Sequence, residues 1–426
     1  MRTGFSTLYT VALLLMSVAA SPSWAAELLS AAPGSGTSTA LMPDKTIKRQ
    51  RLVNVNASGL AEAIAAPEFD AASDRVERSR LRGGKVTMSL FKDAAVDLQR
   101  TDVEAGIDGG VIWEGTSPSG DSAILVVRNG LVTGHIEHMG RSFLIDPMGT
   151  GNLHRVREID TEAYPRDKHV KVPANKRKSE RWLAPSPAKA GTPTEVTLLA
   201  VYTLKAKSNL GVNFTDKISL DVARTNKALE NSGANLRVKL VGFGAVSASY
   251  NELSASNSGA PLTAITTGKT FNFPALRQLR TSNAADLVTM YTMRNEYCGL
   301  AWVLDGGFGD ADFAFSVLNA RCQGSLSLAH ELGHNMGLQH DRYVENTASN
   351  SVYNYGYVNI AGRFRTVMSY SDECSDRGVT CKEITYYSTP RRSFNGRPAG
   401  IASGLNGAAD SVRALNENRS WISGFR

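Results

Sequence analysis

Long apolar runs are almost missing from this sequence. The longest candidate, residues 11–20, is too short for a comfortable transmembrane span, and no other stretch is long enough. With Arg2 ahead of it and small residues at Ser23 and Ala25, it reads as a secretory signal peptide, residues 1–25, cut after Ala25. The mature chain is therefore expected outside the cell or in the periplasm, with no membrane partner. Cysteine is scarce as well. The four, Cys298, Cys322, Cys374 and Cys381, all lie late in the chain, and their spacings do not fit a cysteine zinc site. An even number in an exported chain points instead to disulfides. Three pairings exist; Cys298–Cys322, joining sheet segments, and Cys374–Cys381, pinning a loop, are favoured. Histidine is also rare, with seven residues, and beyond His169 every one falls within residues 330–340. The charge balance excludes less. A net charge of +7 includes a local basic run in a linker, so it is read as solvated surface, with no nucleic-acid partner expected.

A length of 426 residues suggests two or three domains. Residues 26–44 are rich in Ala, Ser, Gly and Pro and are expected to be disordered. Strand-like segments follow at 85–91, 123–128, 131–136 and 142–145. Asn129-Gly130, between two of them, is a strong hairpin signal. Residues 26–165 are thus expected to form a small antiparallel β domain, with His135 and His138 at its surface. Residues 166–193 carry several prolines and the run Lys176-Arg177-Lys178, and read as an exposed, protease-accessible linker. From 194 to 426 strands alternate with helices. Strands are expected at 195–203, 236–242, 286–291, 299–303 and 313–318, helices at 216–231 and 276–279, and a closing helix at 410–425. That order implies an α/β (α+β) domain on a twisted, mixed five-stranded sheet.

The most informative stretch is His330-Glu331-Leu332-Gly333-His334-Asn335-Met336-Gly337-Leu338-Gln339-His340-Asp341. On a helix, His330 and His334 project from one face, one turn apart. Gly337 can take positive φ and stop the helix, so the chain can swing His340 back as a third ligand. Three imidazoles suit one zinc ion and leave a fourth position for water, the pattern of a catalytic rather than a structural site. Glu331, beside the first ligand, can reach that water as a general base.

This H-E-x-x-H-x-x-G-x-x-H run resembles the metzincin zinc metallopeptidases. Thr366-Val367-Met368-Ser369-Tyr370 is similar to their methionine turn, which implies an apolar floor of Met368 beneath the imidazoles. With Asp341 after the third histidine, the chain looks like the reprolysin or adamalysin branch. The block from Cys298-Gly299-Leu300-Ala301-Trp302 to Asp341 looks most like secreted bacterial peptidyl-Asp metalloendopeptidases. The resemblance covers residues 194–426, and more loosely the region before it.

Several expectations follow from the resemblance. Residues 26–165 would be a propeptide, processed in the linker, and the chain's own propeptide would be a partner beside protein and peptide substrates. Related propeptides hold the zinc with a cysteine; none occurs before Cys298 here, so latency must be steric or use another ligand. Gly299, Leu300, Ala301 and Trp302 would form the edge strand that binds substrate as an added antiparallel strand. Met368-Ser369-Tyr370 departs from the adamalysin pattern toward Met-x-Tyr, which makes Tyr370 a candidate stabiliser of the oxyanion. An arginine among Arg377, Arg391, Arg392 and Arg397 could pair with an acidic residue after the scissile bond. One catalytic zinc and a monomer are expected; a structural calcium is not indicated. The rival readings are an inactive binding module on the same scaffold and a zinc hydrolase of a non-peptide amide.

Overall fold

Asn129 and Gly130, at φ of 51° and 75°, turn the chain between strands Ser122–Arg128 and Leu131–His138, as a two-residue hairpin requires. In this computed structural model, which describes residues 26–32, 44–64, 84–149, 151–171, 192–252, 259–268, 273–294, 296–304, 310–348 and 352–426, the hairpin is the middle of a ten-stranded sheet. Residues 1–25, read as a signal peptide, lie outside the described residues. From Lys85–Phe91 to Leu153–Ile159 the sheet is an antiparallel meander. Val86, Met88 and Leu90 alternate inward and join Trp113, Leu125 and Phe143 in its core. Residues 26–31, expected to be disordered, are paired instead. Ala26–Glu27 joins the edge at Lys85–Phe91, and Leu29–Ala31 joins the other edge at Ile47–Val55. This strap satisfies backbone groups at both edges, which composition does not reveal.

A second sheet runs in the order Lys168–Lys171, Gly299–Val303, Phe315–Asn319, Leu287–Thr292, Thr194–Tyr202, Leu236–Ala245. All neighbours are parallel except Gly299–Val303 against Phe315–Asn319. The sheet is mixed, as expected, but has six strands rather than five. The sixth, Lys168–Lys171, comes from the stretch read as linker; residues 172–191 of that stretch lie outside the described residues. An open strand edge offers N–H and C=O groups to whatever chain reaches it, whichever side chains that chain carries.

Helix Phe214–Ser232 lies between the two sheets. Its Leu220 and Ala223 pack on Ile112, Ile124 and Val126 of the first. That contact corrects the surface placement of His135, which pairs across from Ile124 and shares its covered face. His138 is also buried, 3.2 Å from Asp121.

Ion pairs cross the same interface at Arg128–Asp216, 2.7 Å, Lys227–Glu114, 2.9 Å, and Lys217–Asp146, 3.2 Å. Burial alone would raise the Asp146 carboxyl, but the charges of Arg157, Lys217 and Arg155 outweigh it and hold it well below the carboxylate range. Burial pulls the Lys217 ammonium down in turn; with three cations around one carboxylate, the charged form of Asp146 still prevails. A depressed folded-state pKa stabilises fully above the unfolded value of about 4 and ceases to do so as pH falls through the folded one. Asp146→Asn is expected to cost about 3–5 kcal/mol at pH 7, as when one partner of a buried pair is removed. Thermal melts should show the loss shrinking toward pH 2. A loss independent of pH would contradict this.

The structure pairs Cys298 with Cys322 and Cys374 with Cys381. After residue 338 the described residues form mostly short strands, among them Gln339–Asp341 with Tyr355–Gly356 and Phe364–Arg365 with Lys382–Glu383, and a short helix, Asp372–Asp376. Helix Ser411–Ile422 closes this part, its N-terminus capped by Asp410. No helix among the described residues is long and apolar enough to cross a membrane.

Candidate metal centre

Helix Ser327–Asn335 is buried along its whole length and presents His330 and His334 from one face. It ends in a Schellman motif: Gly337, at φ 91°, donates to His334 O, and Leu338 donates to Gly333 O. The reversal feeds strand Gln339–Asp341, pinned by Tyr355–Gly356, and brings His340 back over the helix. The Nε2 atoms of His330, His334 and His340 lie 3.1 Å apart in all three pairs.

Two of their outer nitrogens are hydrogen-bonded, and the third faces a carboxylate. His330 Nδ1 donates to Val367 O at 2.8 Å and His334 Nδ1 to Leu338 O at 2.9 Å, while His340 Nδ1 lies 3.2 Å from Glu345 Oε1. Such partners fix the tautomer and leave the Nε2 lone pairs for a ligand. Burial lowers the pKa of all three, His330 to about 4, so the rings are neutral near pH 7. Three neutral lone pairs this close cannot satisfy one another. A cation between them at about 2.0–2.1 Å per bond could, so the residues present fit a zinc ion.

Glu331 is fully buried beside the triad, and its carboxylate oxygens have no hydrogen-bond partner among the described residues. Burial, then the nearby Asp167, push its pKa well up; a dication in the triad would act in the opposite sense. Strand Gly299–Val303, next to the edge strand Lys168–Lys171, runs directly over it. A Cβ at Gly299 would overlap Glu331 Oε1, so only glycine fits there. Leu300 and Ala301 lie on the same strand. The Trp302 ring points away, its Nε1 donating to Thr266 Oγ1, while Trp302 O accepts from Asn335.

Met368 is fully buried against Gly333, between the two helical histidines. Its turn is closed by Ser369 donating to Thr366 O. Asp341 ties that turn to the third histidine: Oδ2 accepts from Tyr370 N at 2.9 Å and Oδ1 from the Tyr343 and Val344 N–H groups. The sequence placed Asp341 in the pattern without this role. The Tyr370 hydroxyl lies 3.0 Å from His340 Nε2 and donates to Asp167 O.

Two residues beside the triad were not foreseen. Asp167 accepts from Ser327 Oγ at 3.1 Å, and burial pushes its carboxyl up to about 7. His169 Nδ1 is 3.3 Å from His340 Nε2. Both sit on the approach to, or within, strand Lys168–Lys171, which occupies the edge expected to be free. The Lys-His-Val-Lys alternation was the available signal, but four residues are too few for a period to stand out.

Three of the four arginines expected to shape the pocket are engaged elsewhere. Arg391 forms a fork with Asp410, Arg377 pairs with Glu373 on the surface, and Arg392 packs against Gly233. Arg365, two residues before Val367, is nearer the triad. It is buried, bonded to Glu162 at 2.6 Å and paired with Glu383 at 3.2 Å.

A reprolysin-type family profile, described as metallo-peptidase family M12, matches residues 192–388. Peptidyl-Asp metalloendopeptidase of Stenotrophomonas maltophilia (strain R551-3) is 31% identical over 355 residues, covering 78% of this chain and 81% of that one. The protein of that name from Xanthomonas campestris pv. campestris is 28% identical over 72% of this chain and 70% of its own. The one from Pseudomonas aeruginosa is 29% identical over 57% and 42%. Among solved structures, metalloproteinase-II from Bacteroides fragilis aligns at 10% identity over 61% of this chain and 81% of its own, with a TM-score of 0.41, too distant to bear on the argument. By its relatives the chain belongs to the family of the bacterial peptidyl-Asp metalloendopeptidases and is a zinc metalloendopeptidase.

Proposed function

We propose that the protein is a secreted peptidase made as a zymogen, cutting peptide bonds with a preference for an acidic residue after the scissile bond. One observation carries the catalytic reading: three Nε2 lone pairs converge beside a buried, unpartnered carboxylate. Zinc held by His330, His334 and His340 supplies Lewis acidity toward water and the scissile carbonyl. Glu331 takes the proton of the attacking water and returns it to the leaving amine. The Tyr370 hydroxyl donates to the developing oxyanion. The backbone of Gly299–Val303 holds the substrate as an antiparallel strand.

The acidic preference rests on Ser327 and Arg365 rather than on the arginines named from sequence. The Asp167 side chain enters the recess beside Glu331, bonded by Ser327 and within the field of Arg365. Glu162 bonds Arg365 itself. Both carboxylates belong to the N-terminal region, and we read them as stand-ins for a substrate aspartate that enters once that region has left. Hydrogen bonds to charged groups contribute about 1.5–3 kcal/mol. Arg365→Lys, which keeps a charge opposite Glu383 but loses the guanidinium fork, is therefore expected to lower kcat/KM for acidic peptides roughly 10–150-fold and to leave neutral peptides nearly unaffected. Cleavage-site mapping on a denatured protein tests the preference. An unchanged pattern would remove Arg365 from specificity, and no enrichment of Asp or Glu in the parent enzyme would remove the preference itself.

Residues 26–165 are read as the propeptide. Because Lys168–Lys171 is part of the second sheet, the processing cut is placed after it, within residues 172–191. Comparing casein cleavage before and after limited proteolysis tests this. Equal activity in the intact and cut chains would contradict it.

A further inference from the structure

We propose that His169 is a fourth zinc ligand carried by the N-terminal region, closing in the uncleaved chain the coordination position that water needs. This rests on the reading of His330, His334 and His340 as the zinc site.

The geometry points there from several sides. The candidate ligand atoms of His169, His334 and His340 all lie within 4.8 Å of one another. The His169 ring meets that of His340 edge-on, with centroids 4.3 Å apart. Its other nitrogen, Nε2, lies 3.8 Å from Glu345 Oε1, the carboxylate that also faces His340 Nδ1. With Nδ1 toward the triad, Nε2 faces that carboxylate, beyond hydrogen-bond distance but on the side where a ligating histidine has its outer partner.

The strand holding His169 is built to keep it there. Residues 168–171 pair in register with 300–303, placing His169 opposite Ala301. The segment before it is anchored by three contacts to the catalytic part: Tyr370 on Asp167 O, Ser327 on the Asp167 carboxylate, and Arg166 on Asp372 at 2.6 Å. The pairing is parallel, whereas a substrate is read as binding antiparallel. The segment thus fills the cleft with its peptide bonds running the wrong way for cutting, and a ligand sits where the scissile carbonyl would. Asp167 is the competing ligand, grouped with His330 and Glu331. Its Oδ2 accepts from Ser327 at 3.1 Å, while Oδ1 is buried without a hydrogen-bond partner among the described residues, so the two candidates are separated by substituting each.

The test uses the uncleaved chain carrying Glu331→Gln, which lacks the general base, loaded with cobalt in place of zinc. The visible spectrum should report four imidazole donors. His169→Ala leaves the backbone ladder in place but should change that spectrum and speed metal transfer to a chelator by at least about tenfold, while Asp167→Asn should alter neither. One metal per chain with the same spectrum and release rate in His169→Ala as in its parent would overturn the proposal, as would a change confined to Asp167→Asn. Failure of the parent and both variants to bind any metal would instead overturn the zinc-site reading beneath it.

Discussion

Replacing Glu331 with glutamine is expected to lower kcat/KM of the processed enzyme by roughly 10²–10⁴-fold, the range for a positioned general base, with zinc content unchanged. Glutamine keeps the size of the side chain but cannot accept the proton of the attacking water. The three imidazoles are held by their own partners, Val367 O, Leu338 O and Glu345, and none depends on Glu331. Loss of activity and retention of metal should therefore separate. Full casein cleavage by this variant would refute the assignment, and loss of zinc would mean that the carboxylate is itself a ligand. Stability offers a second signature. Glu331 is buried without a hydrogen-bond partner among the described residues, so the neutral amide should cost the metal-free protein little.

His340→Ala should have an effect of similar size by another route. Without the third imidazole, zinc affinity should fall by more than the roughly 10–100-fold that follows loss of an outer hydrogen-bond partner, and activity should follow the metal. Added zinc should restore the chelator-stripped parent but not this variant at the same concentration. Of the three, His340 is the informative choice because it reaches the site from beyond the helix, through the turn at Gly337 and the strand pinned by Tyr355–Gly356. Unchanged zinc binding in His340→Ala would leave only a two-histidine site.

The centre was legible because its geometry is local. The step of four from His330 to His334 is about one helical turn, and a glycine where the helix must reverse is enough to expect His340 back at the same point. The hairpin at Asn129-Gly130 was legible for the same reason. What sequence did not reveal depends on partners far along the chain. His135 is buried because helix Phe214–Ser232 covers its face, and no pattern within residues 131–138 carries that information. Arg365 matters through Glu383 and Glu162, on elements too short to show a period. Strand Lys168–Lys171 looked like solvated linker because its composition is that of one. The open edge of Gly299–Val303, more than a hundred residues on, makes it a strand. Strand Gly299–Val303 itself was expected from its apolar run, yet the direction of the Trp302 ring, toward Thr266 and away from the cleft, depends on helix Ala260–Thr267, which was not foreseen.

The most direct test is a crystal structure of the processed enzyme with anomalous scattering recorded at the zinc edge. One zinc bound by the Nε2 atoms of His330, His334 and His340, with the Glu331 carboxylate beside it but outside the coordination sphere, is the expected result. A metal peak elsewhere, or a site from which His340 is absent, would contradict the account.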